Sequence, residues 1–283
     1  AALTTGDYNI AIGREAADGF DTEDHNLAIG YAALGGSVAG GEFNTAIGNY
    51  TLDALTSGDH NIAIGYSAGS AVTTGGENTL MGRSAGAGIT IASYNVAIGS
   101  EALDAVVVER QNTAVGTYAL TSHRTSASSV SDTGNTAVGY SAGAGITTGS
   151  GNTLLGANCL DSELVSGSNN IAIGSDNTLN NNGNAHSITI GNGIEGNENR
   201  FVFGKSGNLV ENTFTANANF AQSSDQRLKT NITDNDLGLD FINELTTKTY
   251  NWKASNDLDK DDPQLVKRNN EENQMDTDVL MYG

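Results

Sequence analysis

One five-residue pattern constrains what this chain can fold into, because the sequence returns to it ten times. It runs Asn, then Ile, Thr, Leu or Val, then a small or apolar residue, then an aliphatic residue or Met, then Gly. It begins at Asn9, Asn26, Asn44, Asn61, Asn78, Asn95, Asn112, Asn135, Asn152 and Asn170, at intervals of 17, 18, 17, 17, 17, 17, 23, 17 and 18 residues. Degenerate copies end at Gly191 and Gly204. A fixed period of this size marks a solenoid, in which each repeat is one coil that buries its apolar side against its neighbours. The fold class predicted is therefore all-β: a parallel β-solenoid or β-roll of about twelve coils over residues 1–204.

Alternation within Asn9-Ile10-Ala11-Ile12-Gly13 puts Ile10 and Ile12 on one face and Ala11 on the other. The same split recurs at Leu27/Ala28/Ile29, Thr45/Ala46/Ile47, Ile62/Ala63/Ile64, Val96/Ala97/Ile98, Thr113/Ala114/Val115 and Ile171/Ala172/Ile173. The bulky column is expected to fill the inside of the coil. The alanine column would then let a neighbouring chain or sheet approach closely. Three residues past most motif glycines comes a second alanine (Ala16, Ala33, Ala68, Ala85, Ala102, Ala119, Ala142), replaced by Thr51 and Cys159 in two coils. The next position alternates between Leu and Gly, which reads as a second short strand or bend. Thr-Thr-Gly at residues 4–6, 73–75 and 147–149 is turn chemistry. A coil of 17 residues is about 56 Å of extended chain, room for two or three short strands. Coils rising by roughly 4.8 Å make a rod about 55 to 60 Å long. Helix is disfavoured by the glycines and β-branched residues.

Composition supports this reading and removes others. The 36 glycines fall at fixed phase rather than in a linker, and they show no Gly-X-Y period, which excludes collagen. The net charge of -20 is spread along the chain: 20 acidic and 6 basic residues in 1–220, 13 and 7 in 221–283. Such a field disfavours nucleic acid and anionic membranes as partners, while favouring solubility and cation binding. No apolar run approaches a membrane span and no signal peptide is visible; because the chain opens on Ala1 rather than Met, a fragment boundary is expected there. Cys159 stands alone at an alanine phase, a small core residue rather than a nucleophile.

Several columns are candidates for function. The phased asparagines are expected to be structural, bonding turns and each other along a ladder. Asp7, Asp24, Glu42 and Asp59 form an acidic column two positions before the motif Asn. Stacked like charges repel, so the column is either a solvated face or a calcium site; no other cofactor is expected. His25 and His60 lie two coils apart, roughly 10 Å, too far to share a metal. Tyr31, Tyr66 and Tyr140 follow motif glycines, and Tyr8, Tyr94 and Phe43 precede motif asparagines; these rings suit stacking on sugars or packing between chains. The long interval before Asn135 holds residues 121–129, about six residues more than a standard coil, an insertion expected to emerge as a polar loop and candidate receptor contact.

The phased Asn-x-Ala-Ile-Gly motifs over residues 7–191 resemble the head repeats of trimeric autotransporter adhesins and the fibre proteins of bacteriophages. That resemblance implies a parallel homotrimer, with two identical chains as the first partners. The usual coil in those families is somewhat shorter than 17 residues, so the cross-section here is expected to differ.

Past Gly204 the glycine rhythm stops. Residues 205–222 read as capping strands and linker, with Phe214 and Phe220 expected to plug the end of the apolar column. In residues 223–232, Ser224 and Lys229 suit either a polar linker or a Ser-Lys pair whose lysine, once desolvated, acts as general base. The run Ser224-Asp225-Gln226-Arg227-Leu228-Lys229-Thr230-Asn231-Ile232 is similar to the opening of the peptidase S74 family, the intramolecular chaperone of phage tail spikes and fibres. Residues 239–245 and 249–252 match its early helix and strand, and Met281-Tyr282-Gly283 its Tyr-Gly segment. The resemblance implies that residues 223–283 are the N-terminal part of a small α+β chaperone domain, carrying an inserted acidic loop around residues 257–273. It implies chaperone-assisted trimerisation followed by single-turnover self-cleavage by Ser224 and Lys229, with Asp225 flanking the scissile bond and no external substrate. A helix is expected over 234–244. The function implied is a structural and adhesive segment of a virion tail fibre, touching other tail or baseplate proteins and a cell-surface glycan or protein receptor. The alternatives are a bacterial surface adhesin and, more remotely, a polysaccharide-degrading spike, for which the regular coils offer no clustered carboxylate pair.

Overall fold

The computed structural model describes residues 6–19, 22–36, 40–124, 131–161 and 166–214, and the backbone of 221–222, all within the compact unit Ala1–Asp225. Each motif forms one short strand: Ile10–Ile12, Leu27–Ile29, Thr45–Ile47, Ile62–Ile64, Thr79–Met81, Val96–Ile98, Thr113–Val115, Thr136–Val138, Thr153–Leu155 and Ile171–Ile173. Ile188–Asn192 and Arg200–Lys205 continue the series, so that twelve strands stack in parallel, in register, as one sheet. The fold is an all-β parallel solenoid of about eleven turns with a period near 17 residues. Among the described residues there is no helix.

The buried asparagines hold successive coils together. Asn61 is fully buried; its Nδ2 donates to the Gly75 carbonyl at 2.9 Å and to Asn44 Oδ1 at 3.1 Å, while its Oδ1 accepts from the Asn78 amide at 3.1 Å. Asn44, Asn95, Asn112, Asn135, Asn152 and Asn170 repeat this arrangement with small variations. A buried backbone group left without a partner costs about 1–3 kcal/mol, which is why the position admits almost nothing but Asn.

The remainder of most coils is turn rather than strand, so the two or three strands expected per coil are reduced to one in most of them; a second, two-residue strand is present at Glu109–Arg110, which pairs in parallel with Ser131–Asp132, and at Thr178–Leu179, which pairs in parallel with Glu195–Gly196. Residues with left-handed backbone recur before the motif Asn, as at His60 (φ 58°), and two and four residues past the motif Gly, as at Tyr50 (φ 58°) and Leu52 (φ 50°). Each such non-glycine residue costs roughly 1–2 kcal/mol locally. The flipped peptides pair with both neighbours: Tyr50 N–H donates to the Tyr31 carbonyl at 2.9 Å in the preceding coil, and Leu52 N–H to the Ala68 carbonyl at 3.1 Å in the next. The motif glycine is demanded twice over. Gly65 has φ +134°, and a Cβ there would lie 2.5 Å from the Gly82 carbonyl oxygen.

The face that points inward is the opposite of the one expected. Ala28, Ala46, Ala63, Ala97, Ala114 and Ala137 are fully buried, whereas Ile10, Ile12, Ile62 and Ile98 are among the exposed large hydrophobics. The second column of alanines, Ala33, Ala68, Ala85, Ala102, Ala119 and Ala142, is also fully buried. The interior is filled from the turn instead, by Leu34, Leu52, Leu103, Leu120, Leu55, Val72, Ile89, Val106 and Ile146. Volume is exchanged between neighbouring coils. Where the strand centre is Leu80, both adjacent turn positions are glycine: a Cβ on Gly69 or on Gly86 would stand 2.7 Å from a Leu80 methyl. Leu154 and Gly143 stand in the same relation, at 2.8 Å.

The far end closes differently from the plug expected. Asn208–Thr213 turns back antiparallel on Arg200–Lys205, and Ala221–Gln222 pairs with it in turn, covering the last parallel edge. Phe214 is exposed, Ile194, Val202 and Leu179 fill the end of the core, and Phe220 lies outside the described residues. Leu80→Ala is expected to lower stability by about 2–5 kcal/mol, because Gly69 and Gly86 leave no side chain to collapse into the space; urea denaturation followed by circular dichroism measures this.

Candidate functional site

Turning the alanines inward sends the bulky residues out, and register lines them up. The last strand position reads Ile12, Ile29, Ile47, Ile64, Met81, Ile98, Val115, Val138, Leu155, Ile173, Ile190 and Phe203, apolar in all twelve coils. The first strand position carries Ile, Leu, Val, Thr or Phe and no charge. Exposures of 58% at Ile12, 50% at Leu155 and 39% at Phe203 show that the ribbon is open along its length. At about 4.8 Å per strand it runs some 50 Å, far beyond the scattered apolar residues of an ordinary surface.

The aromatic columns flank the coils in two geometries. Tyr8, His25, Phe43 and His60 stack face to face, with centroids 4.9, 4.8 and 4.9 Å apart and interplanar angles of 21°, 15° and 8°. Phe43 thus separates the two histidines, and the inner rings His25 and Phe43 spend their faces on their neighbours, leaving only edges for a sugar; the expectation of sugar stacking is corrected at Phe43. Tyr31, Tyr50 and Tyr66 meet edge to face at 5.1 and 5.8 Å, with the Arg14 guanidinium 5.6 Å from the Tyr31 ring centre. Tyr50 and Tyr118 escaped the sequence reading because they sit one position later than Tyr31, Tyr66 and Tyr140. Their left-handed φ of 58° and 60° brings them back beside those rings.

The acidic column is tied to the backbone. Asp24 Oδ1 accepts from the Asp7 amide at 2.5 Å and Asp59 Oδ1 from the Glu42 amide at 2.8 Å. Further along, Ser93 and Ser168 hydroxyls accept the equivalent bonds from Gly76 and Ser150, at 3.1 and 3.0 Å. A side-chain acceptor is therefore what the position supplies. Among the described residues no group of three or more His, Cys, Asp or Glu side chains converges in the manner of a metal site, and no helix is long and apolar enough to cross a membrane.

Cys159 and Thr51 replace the inward alanine and donate to the carbonyl of the next motif glycine: Cys159 Sγ to Gly174 at 2.6 Å, Thr51 Oγ1 to Gly65 at 2.8 Å. Burial pushes the Cys159 thiol above its ordinary value, with the Asp176 and Asp161 charges adding to the rise and the Asn177 backbone opposing it. The insertion differs from expectation at one residue. His123, assigned to a polar loop, is fully buried, because it lies seven residues past Gly116, the phase at which Leu55, Val72, Ile89, Val106 and Ile146 enter the core. Residues 125–130, like Ser224, Asp225, Lys229 and the helix expected over 234–244, lie outside the described residues.

Comparison with protein families gives a match at the C-terminal side of the chain. Residues 224–268 match the Peptidase_S74 model, chaperone of endosialidase. The solenoid and this segment together fit a tail-fibre type of protein with a C-terminal chaperone segment. Comparison with curated proteins and with solved structures returns no match. The folded chain is expected to resist alkylation at Cys159, reacting with iodoacetamide far more slowly than the same chain in denaturant; intact mass spectrometry reads the difference.

Proposed function

We propose that the chain is a shaft segment of a phage tail fibre or spike, in which three identical chains associate in parallel through their outer apolar ribbons and the segment beginning near Ser224 assists that assembly. The observation that carries the reading is the unbroken apolar column from Ile12 to Phe203 on a chain whose sequence passes into a match to the chaperone of endosialidase at residues 224–268. An apolar ribbon of this length needs a cover, and a parallel copy supplies one of the same length and period. The exposed tyrosines remain on the outside of such an assembly as candidate contacts for other tail proteins or for a cell-surface glycan or protein receptor.

Self-cleavage completes the proposal. Contacts within the trimer desolvate Lys229 and orient Ser224, so that the neutral amine takes the hydroxyl proton as the oxygen adds to the neighbouring carbonyl. The peptide nitrogen leaves with a proton as a new amino terminus. Water then hydrolyses the ester, and the net reaction is one peptide bond and one water per chain.

Two measurements test this. Native mass spectrometry of the complete gene product is expected to give three copies of a chain shortened at a point near Asp225, and three full-length copies for Ser224→Ala. A monomer that cleaves or stays whole in both forms overturns the reading. In the second, Ile64→Asp and Ile98→Asp each place a charge inside the interface, where a carboxylate without a partner is strongly disfavoured; both are expected to lower the sedimentation coefficient toward that of the single chain. An unchanged coefficient would remove the ribbon from the interface.

A further inference from the structure

The column of aliphatic residues that fills the coil from the turn side has one exception. Leu55, Val72, Ile89, Val106 and Ile146 are fully buried hydrocarbon; between the last two, at the same phase, stands His123, also fully buried. An imidazole in this place is costly unless its nitrogens are engaged. Its Nε2 lies 3.3 Å from Asn135 Nδ2 and 3.2 Å from Thr133 Oγ1. Asn135 belongs to the ladder, and its Nδ2 also donates to the Gly149 carbonyl at 2.9 Å. The Thr133 hydroxyl donates to Asn112 Oδ1 at 2.9 Å. The ring thus touches the asparagine ladder at the step between Asn112 and Asn135, the one step spanned by 23 residues rather than 17 or 18.

These contacts choose a protonation state. An amide NH2 has only hydrogens to offer, so Nε2 of a neutral ring accepts from Asn135 while its proton sits on Nδ1, which is buried. A second proton on Nε2 would point at the Asn135 amide hydrogens, leaving Thr133 Oγ1 as the sole acceptor there. Burial opposes the charged ring most strongly; the Glu109 carboxylate and the Thr147 backbone favour it less, and the balance holds the ring below its ordinary histidine range. Glu109 is itself fully buried, with an oxygen taking the Val107 and Val108 amides at 3.0 Å each. Among the described residues it is the one charged side chain that acts on His123.

We propose that His123 is a proton-sensitive joint in the solenoid: protonation of its ring loosens the Asn112 to Asn135 step of the ladder and leaves the other steps intact. The sign follows from linkage. A histidine held below its unfolded value contributes its full stability at neutral pH and above. That stability is lost as pH falls below about 6.5, where the unfolded chain takes up the proton first. The other three histidines, His25, His60 and His186, are exposed, so the change confined to this step is assigned to His123.

Amide hydrogen exchange on the full chain tests the joint. The relevant amides are Thr113, which donates to the Asn135 carbonyl at 2.8 Å, and Asn135, which donates to Asn112 Oδ1 at 3.0 Å. Thr45 and Thr79, in distant coils, serve as references. After correction for the intrinsic exchange rate, the first pair is expected to exchange severalfold faster, relative to the references, at about pH 5 than at about pH 7.5. In His123→Leu, which restores the aliphatic column, that difference disappears. A uniform change in all four amides, or a difference that survives His123→Leu, overturns the proposal. Should His123→Leu fail to fold, an NMR titration of the ring in the unaltered chain decides: a midpoint below that of free imidazole in the unfolded chain supports the joint, and one at or above it refutes it.

Discussion

A single side chain, repeated, carries the architecture. Each coil reverses direction through left-handed residues, and each reversal leaves backbone amides and carbonyls pointing along the stack axis rather than within the coil. The buried asparagine answers several of them at once: Nδ2 for a carbonyl of the next coil, Oδ1 for the backbone amide of the next coil's asparagine, and Nδ2 again for the Oδ1 of the preceding asparagine. Aspartate would lack the donor, leucine both groups, and glutamine would be too long by one methylene. The ladder also ends where it should. Ser187 follows Asn170 and takes its Oδ1 through the backbone amide at 2.9 Å, but its own hydroxyl finds no partner, and the coils beyond become irregular.

The narrowness of the coil follows from this ladder and sets everything outside it. The strand centre is alanine in most coils and leucine only where a neighbouring turn position is glycine, so most of the interior is packed from the turn. The outer strand face then receives the residues that the interior cannot hold. Because register is kept without slippage over twelve strands, those residues form a continuous ribbon rather than scattered spots. The same regularity turns the residue before the asparagine into a ring stack and brings tyrosines from different phases edge to face. Surface chemistry here is a consequence of interior geometry.

The ladder also explains why exceptions are informative. Cys159 and Thr51 take alanine positions and remain harmless because each has a carbonyl to bond. Glu23 and Glu109 stand where most coils carry glycine or alanine, and both bury a carboxylate against backbone amides: Glu23 against Gly40 at 2.9 Å and Thr22 at 3.0 Å, Glu109 against Val107 and Val108. His123 is the exception whose side chain touches a ladder asparagine directly, through Asn135 Nδ2.

Period, parallel stacking and the structural role of asparagine were legible in the sequence, because a buried polar side chain at constant spacing has few other uses. The opening of the chaperone-like segment was legible as well, in the run from Ser224 to Ile232. Which face points inward was not. Alternation in Ile-Ala-Ile distinguishes two faces without saying which is inside, and the usual preference for burying the larger residue pointed the wrong way. The answer depends on the distance between two walls, and that distance is set by left-handed turns at residues such as Tyr50, Leu52 and Glu101, whose side chains give no hint of the backbone they adopt. His123 was hidden for a related reason: counted from the insertion it belongs to a loop, and counted from Gly116 it belongs to the core. Periodicity determined that there would be coils and what would bind them together. Only the closed cross-section, a property of residues distant in sequence, decided which side chains were left to meet a partner.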